Sequence, residues 1–586
     1  MTAIDIFKKK LGGELSSLTK DQLSAVMHDR GGALCIAGPG SGKTRVISLR
    51  AARLWALYGG LENDGGSGSR GRDDGCSGVV LTLSFNKPAC EEMKARGLEY
   101  IKRLGGSEDT KAAAFYTVHA YCYRLVREYL KLKGLPIPRV LDPGETSEII
   151  EKLYSEMTCG GRLPQSEMKM LKNYIVTENM EADFDFGGLG KDLAKEIRKN
   201  YGLRKERMGV IDFGDMLGLS LKYLRSDRTF LEKTRNAYMF TQVDEAQDLS
   251  TMQAEVVKLI SNGNVFYVAD DDQSIYGFRG ANPGTVRSLR ESGGQFKTYM
   301  LEKNFRSTGD IVNLSSWFIR ANEDRFDKRI SASRERGGKV SLRYFSDTTA
   351  QALFCAELIK KRAKQKRSIC VLYRNNASGL PVGTALFLSL GKRDDIRPLV
   401  KGEKILFGEL DYTRFLYRAL KEKESGRPLA RLFSKLPGDI YRDMKKTGEA
   451  DMIAARAFGG RRPFFRESAV TAAEYLLEKA VSADDFLRFT EGVDSFLESG
   501  DDPSVSFSTV HSAKGLEYDT VVIVDCVEGE FPFGDIRREE QVREERRLMY
   551  VALTRAKNEV VLTHPGKCGK LELTASRFID EIEDFR

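Results

Sequence analysis

The chain has 586 residues, of which 93 are Lys or Arg and 84 are Asp or Glu, for a formal net charge of +9. This length exceeds what one hydrophobic core supports, so several domains are expected. The charge permits a polyanionic partner, and a solvated basic surface explains it equally well. The nine cysteines form no CxxC pair, which argues against a zinc or iron–sulfur site. No apolar stretch suggests a signal peptide or membrane span, so we expect a cytoplasmic protein without membrane contacts.

Short β-rich runs recur in chain order, and each is followed by a polar loop and a helical pattern. The first set is 33–37, 79–83, 237–243 and 265–269, and the second is 340–344, 369–373, 505–510, 520–525 and 560–563. This pattern predicts an α/β fold with two parallel-sheet lobes, each interrupted by a mainly helical insertion. The first lobe is predicted to comprise residues 1–119 and 205–289, with its helical insertion at 120–204. The second lobe is predicted to comprise residues 290–416 and 504–586, with a reduced helical insertion at 417–503.

The first chemical motif is a Gly-rich loop, residues 37–44, between a predicted strand and a predicted helix. Its glycines let the backbone wrap tightly, so that N–H groups can cradle phosphates at a helix N-terminus. Lys43 is expected to reach the β- and γ-phosphates of a nucleotide, and the Thr44 hydroxyl to ligate Mg²⁺. A chance Gly-rich turn would lack the flanking strand and helix. The predicted phosphate-binding residues are Gly38, Gly40, Ser41, Gly42, Lys43 and Thr44.

The second motif, residues 243–248, places two acids at the end of a predicted buried strand. Asp244 suits a ligand of Mg²⁺, and Glu245 can orient and activate the attacking water. A pair of solvated acids would explain these two residues alone. That explanation is poor once Gln247 and Asp248 follow, and the two motifs together predict an ATPase that uses ATP and Mg²⁺.

Further motifs occur in the order found in the UvrD/Rep/PcrA group of superfamily-one DNA helicases, which this chain resembles. They are residues 18–22, 83–87, 116–120, 211–216, 270–277, 301–307, 510–517 and 544–556. Any one of them could arise by chance, whereas so many in order could not. The resemblance implies two RecA-like lobes and a monomer-capable, ATP-dependent motor that moves 3′→5′ on single-stranded DNA. It also implies unwinding at single-strand/double-strand junctions, in repair, replication or defence.

The resemblance implies nucleotide roles residue by residue. The base and sugar contacts would be Gln22 at the adenine edge, Arg45 and Phe305 around the adenine ring, and Glu517 at the ribose. The γ-phosphate contacts would be Gln273 as a sensor, with Arg306 and Arg555 approaching from the second lobe. Cations placed there stabilise the transferring phosphoryl group, together with the catalytic Lys43 and Glu245. For each arginine a surface salt bridge is the simpler alternative.

The resemblance also implies a DNA-binding set that combines aromatic faces for bases with polar groups for phosphates. Its members are Phe85, His119, Tyr276, Phe278, Arg279 and His511. A lone aromatic residue is more often part of a core than of a binding site. Here the glycines at 277 and 280 flank the loop and argue against burial. Relatives often carry Trp at the position of Phe278, so weaker stacking is expected.

Two other functions stay open on the sequence alone. The second insertion is shorter than is usual in the family. The first alternative is therefore a single-strand DNA translocase, or a DNA-sensing ATPase subunit, without productive unwinding. A nucleotide switch or scaffold without DNA-stimulated turnover is the other alternative. The presence of Glu245, Arg306 and Arg555 argues against the switch.

Overall fold

The computed structural model describes residues 2–60, 78–107, 112–161, 163, 165–176, 190–277, 280, 283–291, 296–335, 337–390, 396–402, 404–425, 437–447, 449–457, 463–534 and 538–585. The chain forms two compact units. The first comprises Met1–Lys303 and Phe326–Arg329, and the second comprises Asn304–Arg325 and Ile330–Arg586. In the described residues no helix is both long and apolar enough to cross a lipid bilayer.

The first unit is built on a parallel sheet, six-stranded in the residues described, with strand order β3-β2-β6-β7-β1-β8. Its strands are β1 (Gly32–Ala37), β2 (Gly78–Ser84), β3 (Ala113–Thr117), β6 (Tyr238–Val243), β7 (Val265–Ala269) and β8 (Phe296–Leu301), and a separate short pair is β4 (Arg139–Val140) with β5 (Val210–Ile211). The side chains of β1 alternate between two hydrophobic cores. Ala33 and Cys35 belong to the core on one face of the sheet, and Leu34 and Ile36 belong to the core on the other. A strand buried on both faces is the pattern expected of a parallel sheet covered by helices.

Helices cover this sheet and build the first insertion. They are α1 (Ala3–Lys10), α2 (Gly12–Ser16), α3 (Lys20–Val26), α4 (Lys43–Trp55), α5 (Lys87–Leu104), α6 (Val118–Leu132), α7 (Pro143–Met157), α8 (Gln165–Val176), α9 (Lys191–Met208), α10 (Phe213–Ser226), α11 (Arg228–Arg235), α12 (Thr251–Ile260) and α13 (Pro283–Glu291). Helices α7, α8 and α9 share a small core of their own, which includes Ile150, Leu171 and Ile197. This segment of the chain therefore packs as a separate helical module.

The boundary between the lobes differs from the one predicted at residue 290. Strand β8 pairs in parallel with β1, in a register that sets Leu34 opposite Thr298, so the first unit continues to Lys303. The short strand β9 (Lys303–Asn304) follows directly. Strand β8 lies at the sheet edge and is partly exposed. Its charged and polar residues interrupt the continuous apolar run by which the buried strands are recognised.

The second unit contains another parallel sheet, with described strands in the order β11-β16-β15-β12-β14-β13. The strands of this unit are β10 (Ser331–Ala332), β11 (Lys339–Phe345), β12 (Ile369–Tyr373), β13 (Pro398–Lys401), β14 (Asp502–Thr509), β15 (Tyr518–Ile523), β16 (Ala556–Pro565), β17 (Lys567–Cys568) and β18 (Leu571–Glu572). Both predicted runs of strands are found, and the prediction of an α/β fold with two RecA-like parallel-sheet lobes is confirmed.

The helices of the second unit include those predicted as its insertion. They are α14 (Gly309–Ile319), α15 (Thr348–Lys364), α16 (Gly379–Ser389), α17 (Asp411–Ser425), α18 (Pro437–Lys446), α19 (Glu449–Ala457), α20 (Pro463–Leu477), α21 (Ala483–Glu498), α22 (Glu539–Leu553) and α23 (Arg577–Asp584). Leu476 of α20 and Phe486 of α21 belong to the same core as Val371 and Val505 of the sheet. The segment 417–503 is therefore partly a cover of this lobe, and its removal would expose the core.

Candidate functional site

The phosphate-binding loop joins β1 to α4, and its backbone conformation depends on glycine. Gly40 and Gly42 have φ of 65° and 81°, in the left-handed region that side chains with a Cβ disfavour. A Cβ on Gly42 would also lie 2.9 Å from Nε2 of Gln22. The N-terminus of α4 begins at Lys43, immediately after this turn. The loop thus has the form that presents backbone N–H groups to an anion.

Gln22 holds this loop through its side chain. Its Oε1 accepts from the Thr19 N–H at 2.9 Å, and its Nε2 donates to the Ser41 carbonyl at 2.8 Å. The first bond is half of the capping box that begins α3. A primary amide retains a second N–H and a second lone pair, so an adenine contact stays chemically available to Gln22. Sequence reasoning missed the loop-holding role, although the Thr-x-x-Gln spacing of a capping box could have revealed half of it.

The first two motifs meet at Lys43 and Glu245. Lys43 Nζ lies 3.5 Å from Glu245 Oε1, and both side chains are largely buried. Glu245 has φ of 51°, a strained conformation for a residue with a Cβ, of the kind that clusters at functional sites. The Gln247 amide Nε2 donates to Glu245 Oε2 at 2.5 Å. The carboxylate is therefore fixed on two sides.

The oxygen donors beside this pair fit a magnesium ion. Asp244 is 2% exposed and follows the last residue of β6, where its N–H donates to the Leu83 carbonyl at 2.9 Å. Thr44 lies in the first turn of α4 and is half-buried. A carboxylate and a hydroxyl are hard oxygen ligands of the type that Mg²⁺ takes, with water and substrate phosphates completing its coordination.

The motif at residues 270–277 is hydrogen-bonded to the second motif. Gln273 is 3% exposed, and its Nε2 donates to Asp270 Oδ2 at 2.5 Å. The Asp270 N–H donates to Gln247 Oε1 at 2.9 Å. A continuous path of polar contacts therefore runs from Lys43 through Glu245, Gln247 and Asp270 to Gln273.

Two of the predicted DNA contacts also come together. The rings of Phe85 and Tyr276 are stacked, with centroids 5.2 Å apart and an interplanar angle of 29°, and both residues are half-buried. His119 lies in the first turn of α6 and is half-buried. Phe278 and Arg279 lie outside the described residues. Tyr276 follows Gln273 by only three residues along the chain, so the segment that holds Gln273 continues directly into the aromatic pair.

We expect Phe85→Ala to weaken single-strand DNA binding by roughly 1–3 kcal/mol, the usual contribution of a base–aromatic stack. Basal ATPase should persist, because Phe85 lies outside the Lys43–Glu245 pair. Fluorescence anisotropy with a labelled oligonucleotide measures the change, and Phe213→Ala, at an exposed phenylalanine of the same unit, is the control. Equal affinity of the Phe85 variant and wild type would assign Phe85 to packing against Tyr276.

In the second unit, Arg306 and Glu517 are paired. Arg306 Nε donates to Glu517 Oε2 at 2.8 Å, and Nη1 donates to the Thr554 carbonyl at 3.0 Å. Glu517 also contacts Lys557 at 2.8 Å. Burial works to raise the pKa of Glu517, but the bonds and charges of Lys557 and Arg306 outweigh it and lower the pKa to about 2. Glu517 is therefore an anion at any pH near neutrality.

The two predicted arginines differ in their surroundings. Arg555 is 1% exposed, and its guanidinium donates to the carbonyls of Val551 and Leu516 at 3.1 and 3.3 Å and to Thr554 Oγ1 at 3.1 Å. Arg306 instead pairs with an ionised side chain. Both guanidinium groups are engaged, Arg306 by a carboxylate and a carbonyl and Arg555 by two carbonyls and a hydroxyl, so each must exchange partners before it can reach a phosphate.

The remaining predicted contacts with described structure are Arg45, Phe305 and His511. Arg45 Nη2 donates to Glu14 Oε2 at 2.6 Å and to Ser17 Oγ at 2.5 Å. Phe305 is 40% exposed. His511 is half-buried in the turn that follows β14.

Comparison with known proteins matches both units to models of one family. The model described as the UvrD/REP helicase N-terminal domain matches residues 18–293. The model described as the UvrD-like helicase C-terminal domain matches residues 299–387 and 471–565. The chain belongs to the UvrD/Rep family of DNA helicases. This helicase is thus an ATP-dependent DNA helicase of the UvrD type, as its sequence motifs predict.

Individual relatives match over nearly the whole helicase. ATP-dependent DNA helicase PcrA of Bacillus subtilis (strain 168) is 26% identical, over 97% of this chain and 86% of the relative. PcrA of Staphylococcus epidermidis (strain ATCC 12228) is 24% identical over 97% and 87%, and the probable DNA helicase II homolog of Mycoplasma capricolum is 25% identical over 97% and 88%. The family model leaves residues 388–470 unmatched and resumes at residue 471. The unmatched stretch contains α17, α18 and α19, whereas α21 lies inside the match.

Proposed function

We propose that this helicase is an ATP- and Mg²⁺-dependent motor that moves 3′→5′ along single-stranded DNA and unwinds duplex at single-strand/double-strand junctions. The observation that carries this proposal is the path of contacts from Lys43 and Glu245 to Gln273, in a loop that continues to the stacked Phe85–Tyr276 pair. Such a path links the groups that hydrolyse ATP to groups suited to stack on bases. The described cysteines form no disulfide and most are buried, which supports a reducing, cytoplasmic setting.

Each group of the site has a separate task in hydrolysis. The Lys43 ammonium neutralises charge on the β- and γ-phosphates, and backbone N–H groups of residues 38–44 hold the same oxygens. Glu245 orients the attacking water and accepts its proton, and the Gln247 bond keeps that carboxylate in place. Thr44 and Asp244 would hold Mg²⁺, which supplies positive charge to the phosphate oxygens.

The other predicted residues are proposed for binding. Arg45 and Phe305 are proposed to stack on the adenine ring. Gln22 is proposed to bind the adenine edge, and Glu517 the ribose. Gln273 reports the γ-phosphate to the aromatic loop. The DNA strand would be held by the stacking and polar groups Phe85, His119, Tyr276, Phe278, Arg279 and His511.

We expect Arg306→Ala to lower the ATP turnover rate by on the order of 10³-fold, as removal of a transition-state arginine does. ATP binding should change much less, because the phosphate loop and Lys43 remain. Stopped-flow or steady-state ATPase with a parallel nucleotide-binding titration separates the two effects. Arg555→Ala is the matched comparison. A lower melting temperature with normal turnover per folded molecule would identify either arginine as structural.

The proposal is tested by ATPase rates with single-stranded DNA, single-stranded RNA, duplex DNA and no nucleic acid, together with strand displacement from partial duplexes. Stimulation by single-stranded DNA and displacement only from a 3′-tailed duplex are expected. Displacement from a 5′ tail alone would contradict the polarity. Equal rates with and without DNA would refute the motor and favour a nucleotide switch.

A second candidate is a single-strand translocase, or a DNA-sensing ATPase subunit, without productive unwinding. It is favoured by the unmatched segment 388–470, since the corresponding insertion of the family often contacts duplex. Translocation along single strands with DNA-stimulated ATPase, but without displacement from any tailed duplex, would establish this second function.

A further inference from the structure

A buried cluster of one ammonium and three carboxylates lies next to the hydrolysis groups. Lys328 Nζ is 2.6 Å from Asp270 Oδ1, 2.5 Å from Asp271 Oδ1 and 2.7 Å from Asp272 Oδ2. All four side chains are at least nine-tenths buried. The three acids are spaced as metal ligands could be, but the lysine ammonium already provides the cation at their centre.

Lys328 comes from a separate segment of the chain. The tetrapeptide Phe326–Arg329 belongs to the first unit, whereas the residues before and after it belong to the second. The Phe326 N–H donates to Asp271 Oδ2 at 2.6 Å, and the Arg329 N–H donates to Glu302 Oε1 at 2.6 Å. The tetrapeptide is thus anchored on both sides of Lys328, so the position of its ammonium is well defined.

The charge balance of the cluster depends on this lysine. Burial raises the pKa of Asp271; Lys328 acts against this rise, and the neighbouring carboxylates add to it. Carboxylates in a dry environment repel one another strongly when no cation lies between them. Removal of the ammonium therefore drives the acids apart or protonates them, and either response disturbs the turn at residues 270–273.

That turn is bonded to the site of hydrolysis through Asp270. Asp270 accepts from Lys328 through Oδ1 and from Gln273 through Oδ2. The Asp270 N–H donates to Gln247, which in turn holds Glu245. A displacement of Asp270 is thus passed to both the γ-phosphate sensor and the water-activating carboxylate.

We propose that Lys328 is a positioning residue for ATP hydrolysis, which fixes the Asp270–Gln273 turn and thereby places Gln273 and Glu245. This inference rests on the proposed roles of those two residues. Lys328 acts on them through Asp270. Its effect is on the turnover rate, since ATP is held by the phosphate loop.

The test compares Lys328→Met, Gln273→Ala and the double variant in ATPase assays with and without an oligothymidylate single strand. Lys328→Met should lower kcat by about 10- to 100-fold, the scale expected for a misplacement near 1 Å, with the KM for ATP changed less than about threefold. The double variant should lose much less than the product of the two single losses, because part of the effect of Lys328 passes through Gln273. Normal kcat per folded molecule in Lys328→Met, a harmless Gln273→Ala, or multiplied losses in the double variant would overturn the proposal.

Lys205 provides a matched control for burial and charge. It is also a buried lysine of the first unit, 2.7 Å from Asp212 and 2.5 Å from Asp215. Lys205→Met should lower the melting temperature and leave kcat per folded molecule unchanged. A loss of kcat equal to that of Lys328→Met would show that any buried lysine of this unit has the same effect, which contradicts a specific positioning role.

If Lys328→Met does not fold, a second variant tests the proposal. Combining Lys328→Met with Asp271→Asn and Asp272→Asn removes the repulsion among the acids, but Asp270 Oδ1 still lacks the Lys328 ammonium that holds it, so the turn stays unanchored. Low kcat is expected in this folded variant, and wild-type kcat would overturn the proposal. A wild-type chain without DNA stimulation would refute the proposed function separately, because the variants are still compared in their basal turnover.

Discussion

Lys43→Ala is expected to lower ATP turnover by on the order of 10⁴-fold, with or without DNA, because the transferring phosphoryl group loses its cation. ATP affinity should fall as well, since the ammonium is proposed to contact the ground-state phosphates. The Glu245 carboxylate, 3.5 Å from the ammonium, also loses this ion-pair contact. Steady-state ATPase and a fluorescent-nucleotide titration measure the two effects.

Lys222→Ala, at an exposed lysine of α10 in the same unit, controls for the loss of a positive charge. It should leave both turnover and affinity unchanged. Retention of more than about a tenth of wild-type turnover by the Lys43 variant would be far outside the effect expected of a phosphate-binding cation, and the phosphate loop would then need reassignment.

Glu245→Gln should block hydrolysis, by on the order of 10³- to 10⁴-fold, while ATP binding stays nearly intact. The amide has almost the shape of the carboxylate, so the strained backbone at φ of 51° and a bond from Gln247 can both be kept. The amide cannot accept the proton of the attacking water. Single-turnover hydrolysis and a binding titration separate these effects.

The control for this change is Glu232→Gln, which alters only an exposed ion pair with Arg228. Near wild-type hydrolysis by the Glu245 variant in the presence of DNA would show that another group is the catalytic base. The expected binding-competent, inactive variant should also still bind single-stranded DNA, which is proposed to depend on Phe85 and Tyr276.

Several features of the site could be predicted because they depend on local backbone chemistry. Gly40 and Gly42 occupy left-handed conformations, so the glycines of the loop are visible in the sequence as a requirement of the turn. Asp244 and Glu245 follow a strand that is buried along its whole length, and such a strand is recognisable from its apolar run. The order of these motifs along the chain predicts the family as well.

Other features could not be predicted, because they depend on residues far apart in sequence. Strand β8 has no continuous apolar run and its sequence predicts the wrong lobe, since only its pairing with β1 shows where it belongs. Arg306 and Arg555 look alike as motif residues. Only the fold shows that one guanidinium faces a carboxylate and the other faces buried carbonyls.

The sequence by itself determined the class of the machine: two parallel-sheet lobes, a phosphate loop, an acidic pair and the ordered motifs of a DNA helicase. These follow from short-range patterns, because strand burial, turn geometry and phosphate binding each use neighbouring residues. The tertiary structure alone decided how the motifs are connected, through Gln22 on the loop carbonyl, Gln247 between two motifs, and Lys328 among three acids. A buried charge needs partners wherever the chain can bring them, and here the lysine lies more than fifty positions from the acids it neutralises.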